Sequence, residues 1–148
     1  MASVGPDVVV VGVDGSAASA VALAWAARYA KITGASIRVV RAWHYPAAAG
    51  PAPVGIAPAS VSAEVAEAQQ QELDQAVTAT LGDNPSVKVE TKVAYGHPAQ
   101  VLIDESADAD LLVVGSRGHG GFTGMMLGSV SMHCVHTAHC PVTVVRRG

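Results

Sequence analysis

The chain has 148 residues, half of them hydrophobic but only 4% aromatic, and a formal net charge of −3. That length fits one domain, residues 1–148, with a core built from Val, Ala, Leu and Ile. Charged residues, at 14%, lie well below the usual quarter, which excludes a disordered chain, and the slightly acidic balance gives a nucleic-acid partner no electrostatic footprint.

The opening M-A-S-V-G-P-D-V-V-V carries no basic segment, and no apolar run approaches the ~18–20 residues of a membrane span. A cytoplasmic protein with no membrane partner is expected. Cys134 and Cys140, six apart, fall on different faces of an ideal helix and suit two reduced thiols better than a disulfide.

Residues 8–13, V-V-V-V-G-V, are the continuous apolar run of a strand covered on both faces. Asp14-Gly15-Ser16 follows as a turn, with Ser16 as a helix N-cap. Residues 17–33 predict an Ala-rich helix whose apolar side is either Val21, Trp25 and Tyr29 or Leu23 and Ala27, with Gly34 as its stop. A second strand is predicted over 36–43. Residues 44–58 contain four prolines and two glycines, which forbid both helix and central strand. This long loop is either a lid over a ligand or a plain connection.

A second helix is predicted over 60–81, with Val61, Val65, Ala68, Leu73, Ala76 and Val77 as its apolar stripe. Residues 87–93 alternate strictly between apolar and charged, the pattern of a strand with one wet face or of a sheet edge. His97-Pro98 opens a third helix that runs to about Ala107, with Pro at the favoured first position. A fourth strand over 110–115, a fourth helix over 130–138 and a last strand over 141–146 complete the chain. Strands that alternate with helices imply a parallel sheet covered on both faces and connected by right-handed crossovers. Ligands bind such sheets at the carboxyl ends of the strands, where the winding reverses.

Residues 111–129, L-L-V-V-G-S-R-G-H-G-G-F-T-G-M-M-L-G-S, join a buried strand, a glycine-rich loop and a helix start. These are the parts of a phosphate cradle, since glycines admit an anion close to the backbone and the first helical amides point at it. The spacing is G-x2-G-x9-G-S, from Gly115 through Gly118 to Gly128 and Ser129. Neither the G-x4-G-K-[ST] of P-loop proteins nor the G-x-G-x-x-G of dinucleotide-binding folds fits. Asp14 is either a turn residue or an acceptor for a base or ribose in the same crevice. Arg117 is either a cation for the phosphates or a solvated loop residue.

The run His133-Cys134-x-His136-x-x-His139-Cys140 invites a zinc reading, with histidines one helical turn apart. No second ligand cluster completes a tetrahedral site. The alternative is that the histidines ride the outer face of the last helix, with Cys134 and Val130 in its buried stripe.

The glycine spacing closely resembles the ATP-binding signature of the universal stress protein family. V-V-V-G-V-D-G-S, V-V-R-A-W-H, Y-G-H-P-A, A-D-L-L-V-V-G-S-R-G and C-P-V-T-V-V-R follow that family in order over essentially the whole chain. The resemblance implies a Rossmann-like, five-stranded parallel sheet of order 3-2-1-4-5 that binds ATP at the ends of the first and fourth strands. It assigns Asp14 to the adenine and ribose and Ala42 to the base. Gly115 and Gly118 would line the ribose and phosphates. Gly128, Ser129, the backbone of Val130 and the hydroxyl of Ser131 would hold the phosphates, with Mg²⁺ as the usual companion of a triphosphate. It also implies a homodimer through the last strand, V-T-V-V-R at 142–146.

The function expected is that of a nucleotide-dependent regulator or sensor of stress. No Asp, Glu or Gln lies between Gly115 and Ser129 to orient a water, so at most slow hydrolysis is expected. Two other classes remain open. One is a dimerisation or scaffold module with a vestigial pocket. The other is an adenylate-forming enzyme of the related α-hydrolase-like group, although the chain lacks the S-G-G-x-[DS] loop that this chemistry needs.

Overall fold

Four consecutive valines start the first strand because β-branched side chains pack well on a pleated surface and, here, on both of its faces. The computed structural model describes residues 7–44, 58–116 and 127–146. The elements run β1 (Val8–Gly12), α1 (Ala17–Thr33), β2 (Ser36–Trp43), α2 (Pro58–Leu81), β3 (Val89–Tyr95), α3 (Pro98–Glu105), β4 (Leu111–Gly115), α4 (Ser129–Thr137) and β5 (Val142–Val145). All strand pairs are parallel, and the order across the sheet is β3-β2-β1-β4-β5.

The two-residue period of the strands divides the core into two layers. Val9, Val11, Ile37, Val39 and Val113 pack with α1 and with Leu73 and Val77 of α2. Val10, Val40, Leu112 and Val114 pack with Val101, Leu102 and Ile103 of α3 and with Cys134 of α4. Helices therefore cover both faces, as a parallel sheet requires.

Neither set of residues expected to face inward from α1 describes its buried side. That side is Ala18, Ala22, Ala26 and Ala30, joined by Leu23. Val21 is exposed, while Trp25 and Tyr29 are half-buried and stack with ring centroids 5.4 Å apart. Ala27 is also only half-buried. Along the alanine stripe α1 comes close to the sheet, and at Ala18 it leaves no room for a side chain on Gly115. On α2, Leu73 and Val77 are buried and Val65 and Ala76 half-buried, but Ala68 is exposed, so the expected stripe is only partly the inner one.

Several boundaries moved. β1 stops at Gly12, one residue before the expected end, although the Val13 amide still donates to Val40 O at 2.9 Å. β3 runs to Tyr95, because its ladder with β2 continues to the Trp43–Tyr95 pair. It is an edge strand with Lys88, Glu90 and Lys92 exposed. α4 ends at Thr137 with Ala138 as its C-cap, so His139 lies beyond the helix.

Arg38 ties β2 to its neighbours by donating to Glu90 at 3.0 Å and to the Glu105 carbonyl of α3 at 3.0 Å. Lys92 pairs with Glu105 at 2.7 Å. Glu90 and Lys92 are more than half exposed, so these pairs set geometry more than stability.

The centre of the sheet carries the stability. Leu112 is fully buried in the layer beneath α3 and α4. Leu112→Ala is expected to cost about 3 kcal/mol of unfolding free energy by removing methyl groups and leaving a cavity, measured as a lowered urea midpoint at unchanged slope.

Candidate functional site

The strand order places the winding reversal between β1 and β4, since the chain proceeds outward from β1 through β2 to β3 and from β4 to β5. A crevice at that reversal, outside the carboxyl ends, is where a doubly wound sheet receives a ligand. The turn after β1 and the junction of Ser116 with Gly128 at the exit of β4 are its two walls.

On the first wall the backbone is fixed by short polar side chains. The Ser16 amide donates to Asp14 Oδ1 at 2.9 Å, the Asx turn expected of Asp before Gly, and Gly15 takes φ 86°. The Asp14 amide donates to Ser19 Oγ at 3.3 Å, and the Ser19 amide donates to Ser16 Oγ at 3.2 Å. Ser16 is thereby the N-cap of α1, as expected. Asp14 is half-buried at the carboxyl end of β1, and its turn role leaves the ligand role open.

Gly115 ends β4 directly against α1. A Cβ built there would lie 2.9 Å from the carbonyl oxygen of Ala18 and 3.2 Å from its Cβ. This glycine is therefore demanded by helix–strand packing, independently of any ligand. The same close approach brings the start of α1 onto the exit of β4.

The second wall is closed by a neck that sequence reading did not find. The Gly128 amide donates to Ser116 O at 2.7 Å, and the Ser116 amide donates to Val145 O at 2.9 Å. The Ser131 hydroxyl lies 3.2 Å from Ser116 O and 3.0 Å from Gly128 O, and its one proton serves either carbonyl. Ser131 is only 2% exposed, so this hydroxyl has a structural task in addition to the phosphate contact expected of it. A carbonyl oxygen carries no sequence signature, which is why Ser116 escaped notice. Arg117 and Gly118 lie outside the described residues, as do residues 45–57 of the expected loop.

α4 then begins at the neck. Its N-cap is Gly128, in extended backbone with φ −68° and ψ 164°, which has no side chain to cap the helix. The Ser129, Val130 and Ser131 amides have no carbonyl to reach within the helix, and the helix dipole places partial positive charge among them. Ser129 is exposed and Val130 half-buried. Such an end suits an anion. Ala42, half-buried near the end of β2 and in register with Ala94, supplies a small apolar surface on the β2 side.

The histidines of the last segment, His133, His136 and His139, are exposed, while Cys134 is buried. For His133 and His136 this is the expected outer-face arrangement, but His139 lies beyond α4 and Val130 is only half-buried. Among the described residues no group of three or more His, Cys, Asp or Glu gathers as for a metal, and no helix is long and apolar enough to cross a membrane. Both cysteines are free thiols. Burial, with a smaller contribution from nearby Cys140, pushes the Cys134 thiol up to about 11. Burial also raises Cys140, against a hydrogen bond with Ser106 that lowers it.

Residues 6–146 match the universal stress protein family. A universal stress protein of Mycobacterium tuberculosis is 37% identical over 150 residues, covering 94% of this chain and 45% of the relative. The chain thus spans about half the length of the curated relatives it matches. Among solved structures, the universal stress protein UspA from Lactobacillus plantarum superposes with a TM-score of 0.75 at 23% identity, covering 95% of this chain and 97% of that one. A universal stress protein crystallised in complex with cAMP superposes with a TM-score of 0.60 at 25% identity, covering 95% and 97%.

Two outcomes follow from the geometry. Gly115→Ala is expected to lose about 1–3 kcal/mol of stability through overpacking against the Ala18 backbone, even without ligand, and a urea denaturation curve measures it. With its pKa near 11, Cys134 is ionised in roughly one molecule per thousand at pH 8. A disulfide reagent at that pH should therefore label native Cys140 first and reach Cys134 at a comparable rate only after denaturation.

Proposed function

The chain belongs to the universal stress protein family, and from that premise we propose that it binds an adenine nucleotide, ATP in the first instance, at the carboxyl ends of β1 and β4. The observation that carries this reading is the first turn of α4, whose N-cap Gly128 offers its amides no side chain and which starts at a hydrogen-bonded neck beside the winding reversal of the sheet. An end of that kind calls for an anion. The relative crystallised with cAMP supports an adenine nucleotide as the anion's carrier.

In this proposal the phosphates lie on the amides of Ser129, Val130 and Ser131, with Gly118, Gly128 and the Ser129 hydroxyl beside them and Arg117 as an added cation. Asp14 accepts from the ribose or base, Ala42 lies against the base, and Gly115 lines the ribose. Ser131 also acts by keeping the neck closed. Mg²⁺ accompanies a triphosphate by bridging its oxygens. The loop offers no Asp, Glu or Gln to orient water, so the site is built for retention, with slow turnover at most. A regulator or sensor that reads nucleotide occupancy fits such a site better than an enzyme does.

The same proposal takes the chain as one domain, cytoplasmic, and dimeric through β5. That strand is a sheet edge, and Met132 and Val135 of the adjoining α4 are exposed apolar residues, an arrangement that invites pairing with a second copy. A monomer mass independent of concentration in sedimentation would remove the dimer from the proposal.

Denaturing the purified protein and identifying any released nucleotide by mass spectrometry tests the ligand. Asp14→Ala should weaken ATP binding about tenfold or more, the loss of a charge-assisted hydrogen bond. Asp14→Asn, which keeps an oxygen for the Ser16 amide, separates ligand contact from turn stability. Gly128→Val should weaken binding at least as much by filling the phosphate approach. Unchanged titration isotherms for Asp14→Ala and Gly128→Val, or a protein that takes up no nucleotide, would overturn the site.

A further inference from the structure

A second cluster lies on the same end of the sheet but one strand further out. β2 and β3 end together at the Trp43–Tyr95 register pair, whose rings meet edge to face with centroids 4.8 Å apart. The Gly96 amide then donates back to Trp43 O at 2.8 Å, so the backbones that follow the two strands leave side by side. The next residues are His44 on one and His97 on the other. Their ring centroids lie 4.9 Å apart with the planes tilted by 32°.

We propose that His44 and His97 together bind a divalent transition-metal ion of the nickel, copper and zinc class. Imidazole is the ligand those ions share. With metal–nitrogen bonds of ~2.1 Å, each ring centre lies ~3.2 Å from the ion, and coordination angles between square and tetrahedral put the two centres ~4.5–5.2 Å apart. The observed 4.9 Å falls inside that interval. Both residues are exposed, so a hydrated ion reaches them without rearrangement of the core.

Several features bear on how the pair would work. His97 is the N-cap of α3, yet its side chain makes no capping hydrogen bond, so the ring is not committed to the helix amides. The positive end of the α3 dipole works against a cation, which makes both rings necessary. Among the described residues no group of three or more ligating side chains forms. The described residues thus leave coordination positions for water or an exogenous ligand, as in an open site and unlike a closed structural one. His133 and His136 offer one-turn spacing on a single helix, but His44 and His97 come from different elements and are already in ring contact.

The test uses untagged, nucleotide-free, chelator-treated protein and Ni²⁺ alone, so that its outcome is independent of nucleotide binding. Calorimetric titration of the full chain should show one ion per protein. His44→Ala and His97→Ala should each weaken that binding about tenfold or more. The triple variant His133→Ala, His136→Ala, His139→Ala should leave it unchanged. Both target rings are exposed, and circular dichroism with a thermal melt verifies that each variant is folded. Absence of binding to the parent protein, binding that survives both single substitutions, or binding lost in the triple variant would overturn the proposal. ATP titrations of His44→Ala and His97→Ala then report on the nucleotide site separately.

Discussion

Where β4 ends there is no room for a side chain. A Cβ on Gly115 would sit 2.9 Å from the carbonyl oxygen of Ala18, a separation that neither backbone can relieve without lifting α1 off the sheet. Much of the architecture follows from that close approach. The alanines at 18, 22, 26 and 30 of α1 suit that approach, with Leu23 filling the core beside them. Its large residues, Trp25 and Tyr29, move to the flank and stack there. The Asp14–Ser19 turn, which begins the helix, is carried up against the exit of β4, so both walls of the crevice are set by one packing contact.

The sheet was readable from sequence because its signal is strong and local. Unbroken apolar runs at 8–13 and 111–115 belong to central strands, and the alternating run near 87–93 belongs to an edge. The inner face of α1 was not readable, since a 3.6-residue period fits several stripes and hydrophobicity ranks Val21 and Trp25 above alanine. Only the helix-to-sheet distance, a tertiary quantity, chooses the alanines. The Ser116 neck and the His44–His97 pair were hidden for related reasons. One acts through a backbone carbonyl, and the other joins residues far apart in sequence.

Gly115 also shows what a glycine motif does and does not say. Its place in G-x2-G-x9-G-S points to a ligand, but the Ala18 backbone alone is enough to require glycine there. A glycine can therefore persist in a pattern even where no ligand binds. Gly128 is different. It sits in extended backbone with φ −68°, a conformation open to any residue, so backbone strain does not explain it. A side-chain cap at that position would satisfy an α4 amide internally, and glycine leaves those amides for something else.

The helix starts make the contrast sharper. α1 is capped within its own turn by Ser16. α3 opens on Pro98, which has no amide hydrogen to satisfy. α4 alone among these three has neither device, and it begins at the winding reversal. What α4 itself offers a polyanion there is oriented amides and a helix dipole. Those dipoles are fixed before the ligand arrives, so they reward any phosphate placed among them. They do not selectively stabilise charge moving in a transition state unless a water or leaving group is also positioned. On the proposed reading, this separates holding a nucleotide from hydrolysing it, and it makes occupancy the quantity that the protein reports.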